Sequence, residues 1–414
     1  MTAPVGDRRS RSSLVALLAA HTSAQAGNTI TVLATPFFVL AQGGSALDVG
    51  IASTFATVPI IVGGPLGAVL VDRIGHRRSS IIADLASAVT VLVIAALASQ
   101  GALPFWGFLL LIFASGLLDT PGQTARTTLL PDLSEQAGVP LARTVGFASG
   151  AERTAMLVGA PLGGLVVSVL GASAAFAVTG VFFVVSSALV VLLVREPRVH
   201  LPEEPGEGLS YWRDLAAGFR FVVGQPLLRL IVAMVFVMNL LDAGRFSVLL
   251  PLRAAGWTGG AGVVGLITGA LGAGALVGSV FFGAVGHRLP RRLLFVVATL
   301  LAGGPLSLAL ASSMPVWAVV AVSAATGLAS GVLNPIIDTL RLELAPARMR
   351  ARSSSLMIAG SWAGIPVGAL LAGGGAEWIG VPAALLVIGA VYVLVALLPV
   401  GGGAWRAMDR PASA

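Results

Sequence analysis

The sequence contains no cysteine and no lysine, and only 10% of its 414 residues are charged. Without cysteine there are no disulfides, thiolate metal sites or cysteine nucleophiles. So little charge argues against an ordinary soluble domain, in which about a quarter of residues are charged. A Walker-type phosphate loop, a His-Glu-x-x-His zinc pattern and a Gly-x-Ser-x-Gly turn are also missing. An ATP-driven pump would therefore need a partner chain, and neither metal nor cofactor is expected. The arginine-rich stretches are short and carry no interleaved aromatics, so nucleic acid is not an expected partner.

What the sequence does have is apolar length. Hydrophobic residues make up 56% of the chain and arrive in long runs. About 20 apolar residues cross the roughly 30 Å hydrocarbon core as a helix. Twelve such runs fall at 14–40, 46–71, 79–99, 103–125, 144–170, 172–194, 227–252, 260–286, 293–312, 315–340, 353–378 and 380–400. The expected fold is an all-α membrane protein with twelve transmembrane helices. Sorted on these spans, every arginine except Arg153, Arg245 and Arg253 lies in the two tails, in alternate loops or, for Arg229, at the cytoplasmic start of span seven. Arginine bias in short loops marks the cytoplasmic side, so both termini are expected there, in a cell (plasma) membrane. Arg8, Arg9 and Arg11 before an apolar run, with Ala24-Gln25-Ala26 beyond it, resemble a leader and its cleavage site. Cleavage would leave an odd number of spans, so an uncleaved first helix is expected.

The two halves repeat at a spacing near 215 residues. Asp72-Arg73-Ile-Gly75-His76-Arg77-Arg78 follows span two, and His287-Arg288-Leu-Pro290-Arg291-Arg292 follows span eight. Arg126-Thr-Thr-Leu129-Leu-Pro131 after span four matches Arg341-Leu-Glu-Leu344-Ala-Pro346 after span ten, and Pro161-Leu-Gly163 matches Pro366-Val-Gly368. Three matches in one order indicate a duplicated six-helix unit. The expected domains are a six-helix bundle at 1–194, a cytoplasmic linker at 195–226, a second bundle at 227–400 and a cytoplasmic tail at 401–414. Tyr211 to Val223 in the linker reads as an amphipathic surface helix.

These residues resemble the major facilitator superfamily over essentially the whole chain. The loop after span two is similar to that family's signature, G-x-x-x-D-R/K-x-G-R-R/K. Asp72, Arg73, Gly75, Arg77 and Arg78 match it, Ala68 replaces the first glycine, and His76 stands at the first basic position. Ala125-Arg126 to Asp132 and Gly159-Ala-Pro161-Leu-Gly163-Gly164 look most like the drug and siderophore exporter branch related to the enterobactin exporter. The resemblance implies two pseudo-twofold-related bundles with a substrate site between them. It also implies a cytoplasmic clamp in which Asp72 meets the N-terminus of span eleven, where Ser353 and Ser354 stand. A simple pairing of Asp72 with a neighbouring arginine is the alternative. By the same resemblance, the small-residue stripes of spans two, five, eight and eleven become contacts between the moving halves, with static packing the alternative.

Polar residues inside a span cost at least about 2.5–3.5 kcal/mol each when ionisable, so they are the candidates for substrate or coupling sites. His21, Gln25 and Asn28 lie on one face of span one, and Asn239, Asp242 and Arg245 on one face of span seven. Asp242 and Arg245 read equally well as a structural ion pair or as a coupling site. Glu152 and Arg153 in span five, Asp119 in span four and Asp338 in span ten complete the set, while Asp84 reads as a packing residue. A carboxylate that alternates between a dry site and water changes its affinity for protons. Proton-coupled efflux of a small amphipathic drug or metabolite is therefore the expected function, with the proton gradient as energy source and Asp242, Glu152 or Asp119 as carrier. The expected form is a monomer in the lipid bilayer. An importer of a small metabolite, a non-transporting receptor or sensor, and an integral membrane enzyme are the alternatives; an enzyme has no use for the repeat.

Overall fold

The computed structural model describes residues 8–195, 220–286, 290–344 and 350–408. Twelve of its helical segments are long and apolar enough to cross a membrane. Spans one to six are Arg8–Ala41, Ala46–Ile74, His76–Ser99, Phe105–Gln136, Leu141–Leu170 and Ala172–Leu193. Span seven is helix Pro226–Ala243, a π-helical turn Gly244–Leu249 and helix Leu250–Ala255; spans eight, nine and ten are Gly260–Val285, Arg291–Ala311 and Val316–Leu344. Span eleven is split into Arg350–Trp362 and Gly364–Ile379, and span twelve is Val381–Gly401. No strand occurs among the described residues. The expected surface helix falls almost wholly in 196–219, outside the described residues.

Local chemistry accounts for the breaks. Ser45 caps span two: its hydroxyl accepts from the Asp48 amide at 3.1 Å, and Asp48 Oδ2 accepts from the Ser45 amide at 2.8 Å. One residue, Gly75, separates spans two and three at φ +89°. That backbone geometry favours glycine, which explains the signature's glycine independently of any clamp. Span eleven breaks at Ala363, three residues before Pro366; a proline ring clashes with the carbonyl four residues back, here that of Trp362.

The chain divides into two compact units, one of Met1–His200 with Ala254–Gly269, the other of Leu201–Arg253 with Ala270–Ala414. The start of span eight therefore clusters with the first unit. A Cβ on Gly164 of span five would lie 2.5 Å from the Ala261 carbonyl oxygen, and one on Gly265 would lie 2.8 Å from that of Ala160. Two backbones meet where no side chain fits.

Gly269 of span eight likewise faces Pro161 of span five, whereas the remaining described stripe glycines pack inside their own bundles, as the static-packing alternative has it. Gly63 faces Thr120 of span four, and Gly159 and Gly163 face Ala26, Thr29 and Ile30 of span one. In the second unit, Gly364 and Gly368 lie against the carbonyls of Phe236 and Leu240 in span seven. Gly274 and Gly278 lie against those of Ala324 and Leu328 in span ten, which answers with Gly327 and Gly331. Small faces allow such close approach in lipid, where hydrophobicity alone gives helices no reason to associate.

Candidate functional site

The first unit holds a polar seam between spans one and four, which run antiparallel. Residues three and four apart share a helix face, so His21, Gln25 and Asn28 on span one confront Arg126, Gln123 and Asp119 on span four. Asn28 Nδ2 donates to Asp119 Oδ2 at 2.7 Å, and Gln123 Nε2 donates to Gln25 Oε1 at 3.0 Å. His21 and Arg126 line a void of about 10 Å³ together with Leu17, Leu18, Thr127, Leu130 and Ala148. From span five, Glu152 Oε1 accepts from Gln25 Nε2 at 3.5 Å.

Arg126 is the centre of this seam, and its position corrects the sequence reading. Span four continues to Gln136, so Arg126 is an interior residue, not the start of a loop, and it is 1% exposed. Its Nη1 donates to Asp84 Oδ1 at 2.6 Å, and its Nη2 lies 3.6 Å from Asp119 Oδ1. Ser186 donates to the other Asp84 oxygen at 2.6 Å. Asp84 is thus the buried partner of Arg126 and joins spans three, four and six. Asp119 Oδ1, His21 Nδ1 and Arg126 Nε are buried without a hydrogen bond among the described residues.

The second unit carries a different arrangement. Arg245 Nη2 donates to Asp242 Oδ1 at 2.6 Å, and the Tyr392 hydroxyl donates to Asp242 Oδ2 at 3.0 Å. Arg245 Nη1 also donates to the Gly303 carbonyl at 2.8 Å, and its guanidinium stands 4.6 Å and 5.4 Å from the ring centroids of Phe246 and Tyr392. The Tyr392 ring occupies the space that a Cβ on Gly303 would need. Arg245 lies within the π-helical turn, a helix defect frequent at functional sites. Asn239, expected beside this pair, donates instead to the Ser361 carbonyl at 2.9 Å and ties span seven to span eleven. Both Asp242 oxygens are held, although the side chain is 38% exposed.

The remaining expected residues make none of these contacts among the described residues. Arg153 and Asp338 are exposed. The side chains of Asp72, Ser353 and Ser354 are outside the described residues, and so is any clamp they form. Arg73 and Arg78 are exposed, whereas Arg77 donates to the carbonyls of Val194 and Val191, each at 2.7 Å, and closes the end of span six. Arg292, 215 positions later, does the same for span twelve through the Pro399 carbonyl at 2.6 Å and the Val400 carbonyl. Among the described residues, no three His, Asp or Glu side chains converge to hold a metal ion.

The family model described as Major Facilitator Superfamily matches residues 17–262 and 237–402. The chain belongs to the major facilitator superfamily. Within the superfamily, it is 28% identical to the multidrug efflux pump Tap of Mycolicibacterium fortuitum over 401 residues, covering 94% of this chain and 95% of that one. It is also 28% identical to the enterobactin exporter EntS of Salmonella typhimurium over 373 residues, covering 88% and 86%. Among solved structures, the nucleoside transporter NupG superposes with a TM-score of 0.72 at 13% identity, covering 98% of this chain and 100% of that one. A bacterial homologue of the human lysosomal transporter Spinster gives 0.70 at 16%, covering 99% and 100%. These solved structures share the chain's multi-pass helical fold.

In this member of the superfamily the two clusters differ in what they can do. The span-seven acid has both oxygens held, and the group left unsatisfied there among the described residues is a donor, the buried Arg245 Nε. The seam of spans one and four sets two carboxylates, Asp84 and Asp119, around one guanidinium, joins a third, Glu152, through Gln25, and leaves an acceptor open on Asp119. Arg126 escapes the sequence reading because the apolar run of span four ends at 125 and places the arginine in a loop, and Gln123, inside that run, carries no charge to mark it. The signal was available in the seven-residue spacing of Asp119 and Arg126, which places them on one face. Tyr392 carried no such signal: a lone tyrosine in an apolar run reads as packing.

Proposed function

We propose that this chain exports small amphipathic compounds in exchange for protons, and that Asp119 carries the proton. The observation that carries the reading is the Asp119 carboxylate, which is buried, shares Arg126 with Asp84, and has its Oδ1 without a hydrogen bond. A proton on that oxygen removes the unbalanced charge, whereas the ionised form benefits from water or a new donor. Asp242 offers no such choice, because Arg245 and Tyr392 hold both of its oxygens. The names of Tap and EntS support the outward direction. The arginine bias supports a plasma-membrane location with both termini in the cytoplasm.

Efflux of ethidium and a bisbenzimide dye from efflux-deficient cells tests the reading. Cells expressing the chain should extrude dye, and a protonophore should abolish extrusion. Asp119→Asn should reduce the rate by about a hundredfold or more, the size of effect that follows removal of a group acting directly in proton transfer. Asp242→Asn should leave slower extrusion that still responds to the protonophore. An Asp119→Asn variant that pumps at the wild-type rate and keeps its protonophore sensitivity would falsify the assignment.

A further inference from the structure

Glu152 differs from the other acids of the seam. It is only partly buried, it has no ion pair among the described residues, and its hydrogen bond from Gln25 is 3.5 Å long, at the limit for such a bond. Arg153 beside it is exposed and lies about 100° further round the helix. The charged and titratable groups around the seam are Asp84 on span three, Asp119 and Arg126 on span four, Glu152 and Arg153 on span five, and His21 on span one. Arg126 is shared between Asp84 at 2.6 Å and Asp119 at 3.6 Å and makes no ion pair with Glu152 among the described residues, so Asp119 and Glu152 are left incompletely balanced. One can take a proton; the other, reachable from outside, can take a cation.

Gln25 connects the two. Its Nε2 donates to Glu152, while its Oε1 accepts from Gln123 at 3.0 Å and from Asn28 at 3.4 Å. Asn28 in turn donates to Asp119 at 2.7 Å. We propose that Glu152 receives the positive charge of a transported organic cation, and that Gln25 is the positioning residue that turns its arrival into loss of a proton from Asp119. The inference rests on the reading of Asp119 as proton carrier.

A cationic group adds to the carboxylate a charge–charge attraction that a neutral amide cannot supply, so it displaces the long Gln25 contact. The freed amide N–H is a buried donor and must find an acceptor. Asp119 Oδ1 is a buried acceptor without a partner in the same network. A donor delivered there favours the ionised carboxylate. The O–H bond of Asp119 breaks, the proton leaves to water, and one positive charge replaces another. Linkage requires the reverse: a proton returning to Asp119 sends Gln25 back to Glu152 and weakens the hold on the cation.

The test uses the purified full chain in detergent, lightly buffered at neutral pH with an indicator dye, and ethidium as the organic cation. Binding is read by ethidium fluorescence and proton release by the indicator. Wild type should release protons as ethidium binds. Asp119→Asn should bind and release none, and Glu152→Gln should weaken binding about tenfold or more, the loss of one charge-assisted bond. Gln25→Leu and the closer match Gln25→Met should bind ethidium within a few-fold of wild type yet release almost no protons. Release that persists in Asp119→Asn overturns both this inference and the carrier assignment. Silence in Asp119→Asn with wild-type release in the Gln25 variants overturns only the role of Gln25. Equal loss of binding and release in the Gln25 variants makes that residue structural and also overturns its role. Ethidium that binds wild type and Glu152→Gln alike, or binds neither, overturns the cation site.

Discussion

A guanidinium sealed from water depends on its partners for all of its stabilisation, and Arg126 has two. Removing one side of a buried ion pair strands the other charge, which costs about 3–5 kcal/mol, whereas replacing the whole pair with apolar groups is often neutral. Asp84→Leu and Arg126→Leu should therefore each lower the thermal unfolding midpoint in detergent sharply. The double variant Asp84→Leu/Arg126→Leu should recover most of the loss. Double-variant stability no better than the sum of the single losses would show that the pair does not act as a unit. At this scale the sequence was half legible. His21, Gln25 and Asn28 advertise a face by their spacing, and Asp242 and Arg245 advertise a pair. No local pattern says that Asp84 on span three reaches Arg126 on span four, because that contact exists only after the helices pack.

At the scale of the helix, the apolar runs were readable because lipid demands them, and their order and number agree with the helices. Their ends were less readable. Span four extends eleven residues beyond its expected end, since a helix need not stop where the hydrocarbon does. The break in span eleven follows from Pro366, and the π-helical turn of span seven interrupts the regular helix where Arg245 stands. Glycine positions divide by what faces them. A Cβ on Gly368 would run into the Leu240 carbonyl, whereas nothing lies within 4 Å of one on Gly374. Gly368→Ala should therefore push span eleven from span seven and reduce both the yield of folded protein and its unfolding midpoint. Gly374→Ala should leave both unchanged or raise them slightly, because alanine is the better helix former by about 1 kcal/mol. Equal responses at the two sites would mean that close approach, as described for Gly368, is not what holds these helices.

At the scale of the whole molecule, duplication is visible in bonds as well as in letters. Arg77 and Arg292 occupy equivalent repeat positions and each closes the last turn of the final helix of its six, where unpaired carbonyls favour a cation. Hydrogen bonds from a charged donor are worth about 1.5–3 kcal/mol. Arg77→Gln and Arg292→Gln should therefore each destabilise the protein measurably in chemical denaturation, while Arg78→Gln, at an exposed side chain, should not. A denaturation midpoint for Arg77→Gln that matches Arg78→Gln would reduce the signature arginine to a topological charge. Much of this plan was readable from the sequence, since the repeat and the signature loop are both written in contiguous residues. The seam was not, because its members are scattered over spans one, three, four, five and six.

The Asp84–Arg126 bond also bears on how the chain is made. Span four carries Asp119 and Arg126 among its apolar residues, and each charged group near a helix centre opposes insertion by about 2.5–3.5 kcal/mol. Span three, synthesised just before it, carries the matching acid. The two helices gain by leaving the insertion machinery together as a hairpin, with the ion pair already closed. The order of residues along the chain thus supplies span four with its counter-charge at the time it enters lipid.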